Sequence, residues 1–172
     1  MKLRHSPARA AALAIGLIAM VVIGTALLIE HVFGYAPCPL CLEQRWPYYI
    51  GIPAALGIAA LPLPPWLRAA SLVALAALFT WGLWLGIYQA GAEWRFWQGP
   101  ADCSTAGGAA PSPGDVGGLI GAIESSQVVS CTDPSLRIFG LSLAGWNAIV
   151  MVLLIGLALA GAAAGHRRLR SR

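Results

Sequence analysis

Apolar and polar positions along this chain fall into blocks rather than alternating. Four runs, at residues 11–29, 42–61, 69–88 and 141–164, are almost wholly apolar, and most of the charges lie between or beyond them. A bilayer core about 30 Å thick takes about 20 helical residues. Each run therefore predicts a membrane-spanning helix. The chain as a whole predicts an all-α membrane protein, a four-transmembrane-helix bundle forming one integral membrane domain over residues 1–172. The second run is the least uniform, with Glu43 and Arg45 in its first turn and Pro47 and Pro53 further on. Those charges sit near the water interface, and helix-breaking prolines are tolerated where neighbouring helices re-satisfy the backbone. The first run follows Lys2, Arg4 and Arg9, as a signal sequence would. It is longer than the roughly 7–15 residues of a signal core, and Glu30-His31-Val32-Phe33 rather than a small-residue cleavage site comes next. It reads as a span.

Composition agrees with that class. Hydrophobic residues make up 58% of the chain and charged ones only 10%, against about 25% charged in soluble domains. Seven tryptophans fit a protein with two bilayer–water interfaces. The net charge of +4 does not point to nucleic acid, because the basic residues gather at the chain ends without interleaved aromatics. Four spans put both termini on one side. Lys2, Arg4, Arg9, Arg68, Arg167, Arg168, Arg170 and Arg172 are eight of the eleven basic residues, all on that side, with no acidic residue among them. The positive-inside rule makes it the cytoplasm. The expected location is a bacterial inner membrane, multi-pass, with loops 30–41 and 89–140 in the periplasm.

All four cysteines, Cys38, Cys41, Cys103 and Cys131, fall in those two outer loops. Disulfides persist in the periplasm and are rare in the cytosol. The second loop, between the third and fourth spans, is about 50 residues long and rich in Gly, Pro and Ser. Loops of that length are functional or disordered, and a short apolar stretch at 116–123 is a weak candidate for the membrane surface. There is no internal repeat, no Gly-rich phosphate loop and no His-rich metal motif.

Cys38-Pro39-Leu40-Cys41 is a C-x-x-C motif where the first outer loop enters the second span. The helix dipole and unpaired backbone N–H groups stabilise a thiolate there, and a stabilised thiolate leaves readily in thiol–disulfide exchange. Pro39 fixes φ between the two sulfurs. Four cysteines allow three connectivities. The expected resting pairs are Cys38–Cys41 and Cys103–Cys131, and the other two pairings stay open as exchange intermediates. Cys103 and Cys131 are 28 positions apart; as a mere staple, their bridge would contribute roughly 3–4 kcal/mol. Zinc is disfavoured, since a four-cysteine site normally has two close-spaced pairs.

Arg45 follows Cys41 by four residues, about one turn along the same helix face. It is a candidate to stabilise a Cys41 thiolate or to bind a carbonyl oxygen of a flat acceptor, against the plainer reading of an arginine snorkelling to water. Trp46, Tyr48 and Tyr49 come next, and at least two of them read as an interfacial aromatic belt.

These features together resemble the DsbB family, disulfide bond formation protein B, of proteobacterial type. The stretch Cys38-Pro-Leu-Cys41-Leu-Glu-Gln-Arg45, the four spans and the loop cysteine pair carry the resemblance. The stretch Arg137-Ile-Phe-Gly-Leu-Ser-Leu-Ala-Gly-Trp-Asn147 is similar to the beginning of the fourth helix in that family. The resemblance implies a protein-disulfide oxidoreductase that reoxidises a periplasmic DsbA-like thioredoxin-fold protein and passes electrons to a membrane quinone, ubiquinone or menaquinone. It implies that Cys103 forms the mixed disulfide with the partner and that electrons pass from Cys103/Cys131 to Cys38–Cys41. Cys41 is then the sulfur beside the quinone, with Arg45 helping to hold the ring. Two features depart from the family pattern. Gln44 stands where well-known members have Glu, and the segment Tyr88-Gln89-Ala90-Gly91-Ala92-Glu93 lacks the histidine some members carry. His31 is a lone interfacial residue and reads as incidental.

Three alternatives stand beside this reading. A vitamin-K-epoxide-reductase-like quinone reductase shares the parts, but there the loop pair precedes the C-x-x-C. A family paralogue serving a dedicated partner has the same signature. A scaffold braced by inert disulfides would form no mixed disulfide with a soluble protein.

Overall fold

The computed structural model describes residues 6–99 and 136–170, with side chains up to residue 165. It is helical throughout apart from one short hairpin. The elements in chain order are α1 (Pro7–His31), α2 (Pro39–Glu43), α3 (Trp46–Ala60), α4 (Pro65–Glu93), β1 (Arg137–Ile138), β2 (Leu141–Ser142) and α5 (Leu143–Arg170). Cys103, Cys131 and the stretch 116–123 lie outside the described residues.

Prolines open the helices. Pro7 and Pro65 occupy first-turn positions, where a missing N–H costs nothing and the fixed φ is already helical. Ser6 caps α1, its Oγ accepting from the Arg9 N–H at 3.3 Å. Among the described residues, three helices are long and apolar enough to cross a membrane: Pro7–His31, Pro65–Glu93 and Leu143–Gly165. The run expected as one span at 42–61 folds differently. It divides into α2 and α3, with Gln44 and Arg45 as a turn between them. Pro47 is the physical reason. It has no N–H to give to the carbonyl four residues back, and its ring crowds that carbonyl. The chain tightens, Arg45 N–H bonding Leu42 O, and restarts with Tyr48 and Tyr49 N–H both on Arg45 O. The 15 residues of α3 reach about 22 Å on their own at 1.5 Å per residue.

The described helices also overrun the apolar blocks at the cysteine end. α1 continues to His31 and α4 to Glu93, so the α1–α2 connection is shorter than expected and the segment after α4 begins later. Residues 137–142, expected as the end of the loop and the start of the fourth span, form an antiparallel hairpin, pairing Arg137 with Ser142 and Ile138 with Leu141. Its two-residue turn holds Phe139 and Gly140 at φ of 52° and 81°. Positive φ at both positions matches the twist of the flanking strands. Phe139 tolerates it without a glycine's freedom and is 95% exposed.

The four long helices pack in a ring: α1 against α3, α3 against α4, α4 most extensively against α5, and α5 back against α1. Sequential helices run antiparallel. Small residues let them approach. A Cβ on Gly51 would stand 2.9 Å from the Phe79 ring, and one on Gly161 would stand 2.8 Å from the Ala11 methyl. Buried α1 positions Ala8, Ala12, Ile15, Ala19 and Ile23 follow helical spacing and face the core, while Leu13, Leu17 and Val21 point outward. A helix apolar on every side belongs in lipid rather than water. At the end remote from Cys38–Cys41, Arg9 donates to Leu61 O at 3.1 Å and Arg68 to Leu63 O at 2.9 Å. Two cations thus close onto the α3–α4 turn.

Candidate functional site: a disulfide beside an apolar cavity

Cys38 and Cys41 form a disulfide across the first turn of α2, with Cα atoms 5.0 Å apart. The spacing has a local cause. Cys38 is the N-cap and Pro39 lies in the first turn, so Cys41, three residues on, reaches back to it. The Cys41 N–H donates to Cys38 Sγ at 3.1 Å, the bond a capping serine oxygen makes in other helices. Since α2 has only five residues, its dipole is small. The expected stabilisation by a long helix therefore shrinks to this local N–H and to the groups around the sulfurs.

The two sulfurs have different surroundings. Cys38 is 2% exposed and packs with Leu40 and Leu85. Cys41 is half-buried and lines a cavity of about 500 Å³, within the usual range for small-molecule sites. Val22, Ile29, Leu143 and Val150 supply apolar wall; Glu30, Gln44, Arg45, Tyr48, Gln89 and Asn147 supply polar atoms.

Arg45 lines the same cavity as Cys41. Gln44 and Arg45 keep right-handed helical backbone angles through the turn. The Arg45 guanidinium meets Glu30 of α1, Nη1 to Oε2, at 2.6 Å, with the side chains 12% and 25% exposed. Glu30 Oε2 accepts no aligned hydrogen bond, so the contact is ionic rather than directional. Tyr48 is buried and donates to Asn147 Oδ1 at 2.6 Å, which takes it out of the aromatic belt. Trp46 and Tyr49 remain exposed, packed edge to face with centroids 6.3 Å apart. His31 turns back on its own helix, Nδ1 3.0 Å from Leu27 O.

The sequence reading missed the amides. Gln89, buried on α4, directs its Nε2 at Cys41 Sγ (3.3 Å), Cys38 Sγ (3.6 Å) and Glu93 Oε1 (3.3 Å). Its Oε1 accepts from Gln44 Nε2, and Gln44 Oε1 accepts from Asn147 Nδ2 at 2.6 Å. Three carboxamides from the α2–α3 turn, α4 and α5 thus meet at the disulfide. Glu93 lies beside them, buried, with no hydrogen-bond partner for Oε2 among the described residues. One signal was available: uncharged amides near the cysteine-side ends of the apolar runs. Asn147 is the only asparagine in the chain.

The model of the family described as "Disulfide bond formation protein DsbB" matches residues 8–161. The chain belongs to the DsbB family. Its relatives include the disulfide bond formation protein B of Ralstonia nicotianae, 34% identical over 85% of this chain and 88% of that one. The corresponding protein of Verminephrobacter eiseniae is 29% identical over 98% and 93%. An uncharacterised protein of Rickettsia prowazekii is 27% identical over 80% and 78%. No solved structure matches the chain. As a DsbB-family protein with a formed C-x-x-C disulfide, it is a helical membrane protein of disulfide formation.

Proposed function

We propose that this chain is a bacterial inner-membrane thiol:quinone oxidoreductase that reoxidises a periplasmic DsbA-like dithiol protein. In this reading α2 and α3 together make a fourth crossing and both termini are cytoplasmic. The cysteines then face the periplasm, supported by the positive-inside count and by Arg9 and Arg68 gathering at the far end. The carrying observation is that Cys41, and not Cys38, lines an apolar cavity that Arg45 also lines.

The partner's dithiol would reduce Cys103–Cys131 through a mixed disulfide on Cys103. A thiolate of that pair would then open Cys38–Cys41 by exchange, leaving two thiols there and a disulfide in the loop. A quinone bound in the cavity supplies the acceptor for two electrons and two protons. The chain's residues fit such a group. The apolar walls suit a flat ring and exclude water, Arg45 can donate to a carbonyl oxygen, and the Cys41 sulfur faces the space.

The test uses purified protein in detergent, a reduced thioredoxin-fold dithiol protein and a soluble ubiquinone analogue, followed by quinone absorbance. Quinone loss that requires both Cys41 and Cys103, by Cys41→Ala and Cys103→Ala, is the expected outcome. No loss with either ubiquinone or menaquinone analogues, from folded protein with intact disulfides, would make the disulfides structural.

A further inference from the structure

The four-residue polar chain at the disulfide runs in one direction. A disulfide sulfur carries no hydrogen and can only accept, so the group aimed at Cys41 and Cys38 must be a donor. That fixes the Gln89 amide with its NH2 towards the sulfurs and Glu93 and its oxygen towards Gln44. Gln44 must then present its NH2 to Gln89 and its oxygen to Asn147. Asn147 is left with its oxygen outward, and there Tyr48 donates its hydroxyl hydrogen. Every link agrees. Flipping Gln89 alone would set its oxygen against two sulfurs and its NH2 against that of Gln44. The polarity therefore has a donor at one end and only acceptors at the other.

We infer that Gln89 is a catalytic residue that stabilises the Cys41 thiolate when the disulfide opens, and that Gln44, Asn147, Tyr48 and Glu93 are positioning residues that hold its NH2 towards sulfur. This rests on the reading that Cys38–Cys41 turns over. In the step concerned, an incoming thiolate attacks Cys38 Sγ and forms a new S–S bond. The Cys38–Cys41 bond breaks, and its electron pair stays on Cys41 Sγ. The N–H already 3.3 Å from that sulfur then donates to an anion in place of a neutral acceptor, and such charge-assisted bonds are about twice as strong. Among the described residues, the remaining charged or titratable groups facing this sulfur are the Glu30–Arg45 pair, Tyr35 and Tyr48 around the cavity, with Tyr88 on α4 packed beside Cys41. Arg137 acts on Glu93 from the hairpin. The α5 wall contributes no titratable side chain to the cavity. Among the described residues the donor aimed at Cys41 Sγ is the uncharged amide of Gln89, whose NH2 also bonds Glu93.

The experiment reduces the full-length protein in detergent and pulses it with iodoacetamide across a pH series. Cys41 modification is read by peptide mass spectrometry. Gln89→Met keeps shape without the donor, Gln89→Glu turns the donor into an acceptor, and Tyr48→Phe frees the far end of the chain. The midpoint for Cys41 should rise by about one pH unit in Gln89→Met, the scale of one hydrogen bond to a charged group. It should rise further in Gln89→Glu and by a smaller amount in Tyr48→Phe. Unchanged midpoints in Gln89→Met and Tyr48→Phe would overturn the inference, whether or not Gln89→Glu folds. The readout needs no quinone. A wild-type protein inert towards quinone but showing these shifts would remove the catalytic role together with the oxidase reading and leave Gln89 only as a group that stabilises the Cys41 thiolate.

Discussion

Arg45 and Glu30 meet at 2.6 Å across the cavity that Cys41 lines, joining the α2–α3 turn to the last turn of α1. The pair gives Arg45 a fixed place beside the proposed acceptor site. If Arg45 donates to a quinone oxygen, Arg45→Met should raise KM for a soluble quinone about ten- to a hundredfold, from the roughly 1.5–3 kcal/mol of a hydrogen bond to a charged group. Glu30→Gln, which only loosens Arg45, should raise it less. Steady-state kinetics on both variants decide it, and equal KM values for Arg45→Met and wild type would remove Arg45 from the site.

Cys38→Ser and Cys41→Ser should each abolish quinone reduction. Circular dichroism should remain that of the parent, because the helices are held by the core around Phe79, Met151 and Leu154 rather than by this bridge. A variant that still turns over would show that this pair lies off the electron path.

Close packing around glycine predicts a stability effect remote from the chemistry. Gly51→Ala puts a methyl 2.9 Å from the buried, rigid Phe79 ring. Overpacking of this kind costs about 1–3 kcal/mol. Thermal melting in detergent should fall accordingly, whereas Gly57→Ala, inside α3 with open space at its Cβ, should melt no lower than the parent.

Sidedness is open to labelling. Arg9→Cys and Phe139→Cys sit at opposite ends of the bundle, on α1 and on the hairpin tip. In intact spheroplasts a membrane-impermeant maleimide should modify Phe139→Cys and spare Arg9→Cys until the membrane is broken. The reverse pattern would invert the proposed topology.

The long helices were legible because each is an unbroken apolar block, and length and composition alone announce a span. The division of α2 from α3 was written in Pro47, but a proline in a membrane helix has two outcomes, a kink or a break. Only packing chooses between them. Arg45 was placed beside Cys41 by counting along the helix, and both line one cavity, but its partner Glu30 on α1 could not be read from local spacing. The amides were harder to read. Gln44, Gln89 and Asn147 are unremarkable helix-end residues one at a time, and their meaning comes from three segments up to 103 positions apart meeting at one disulfide. Cys38 and Cys41 needed no such convergence, because three-residue spacing at a helix cap is a local matter.

The burial of Cys38, at 2% exposure, bears on how the pair is fed. A dissolved thiol that attacks a disulfide must approach in line with the S–S bond, and the sulfur expected to be attacked is covered by Leu40 and Leu85. Small reductants in the surrounding medium are thereby kept from Cys38, and a thiol brought to it by a rearrangement of the protein itself gains the line of approach. If the pair turns over as proposed, selectivity among electron donors is a matter of admission rather than of driving force.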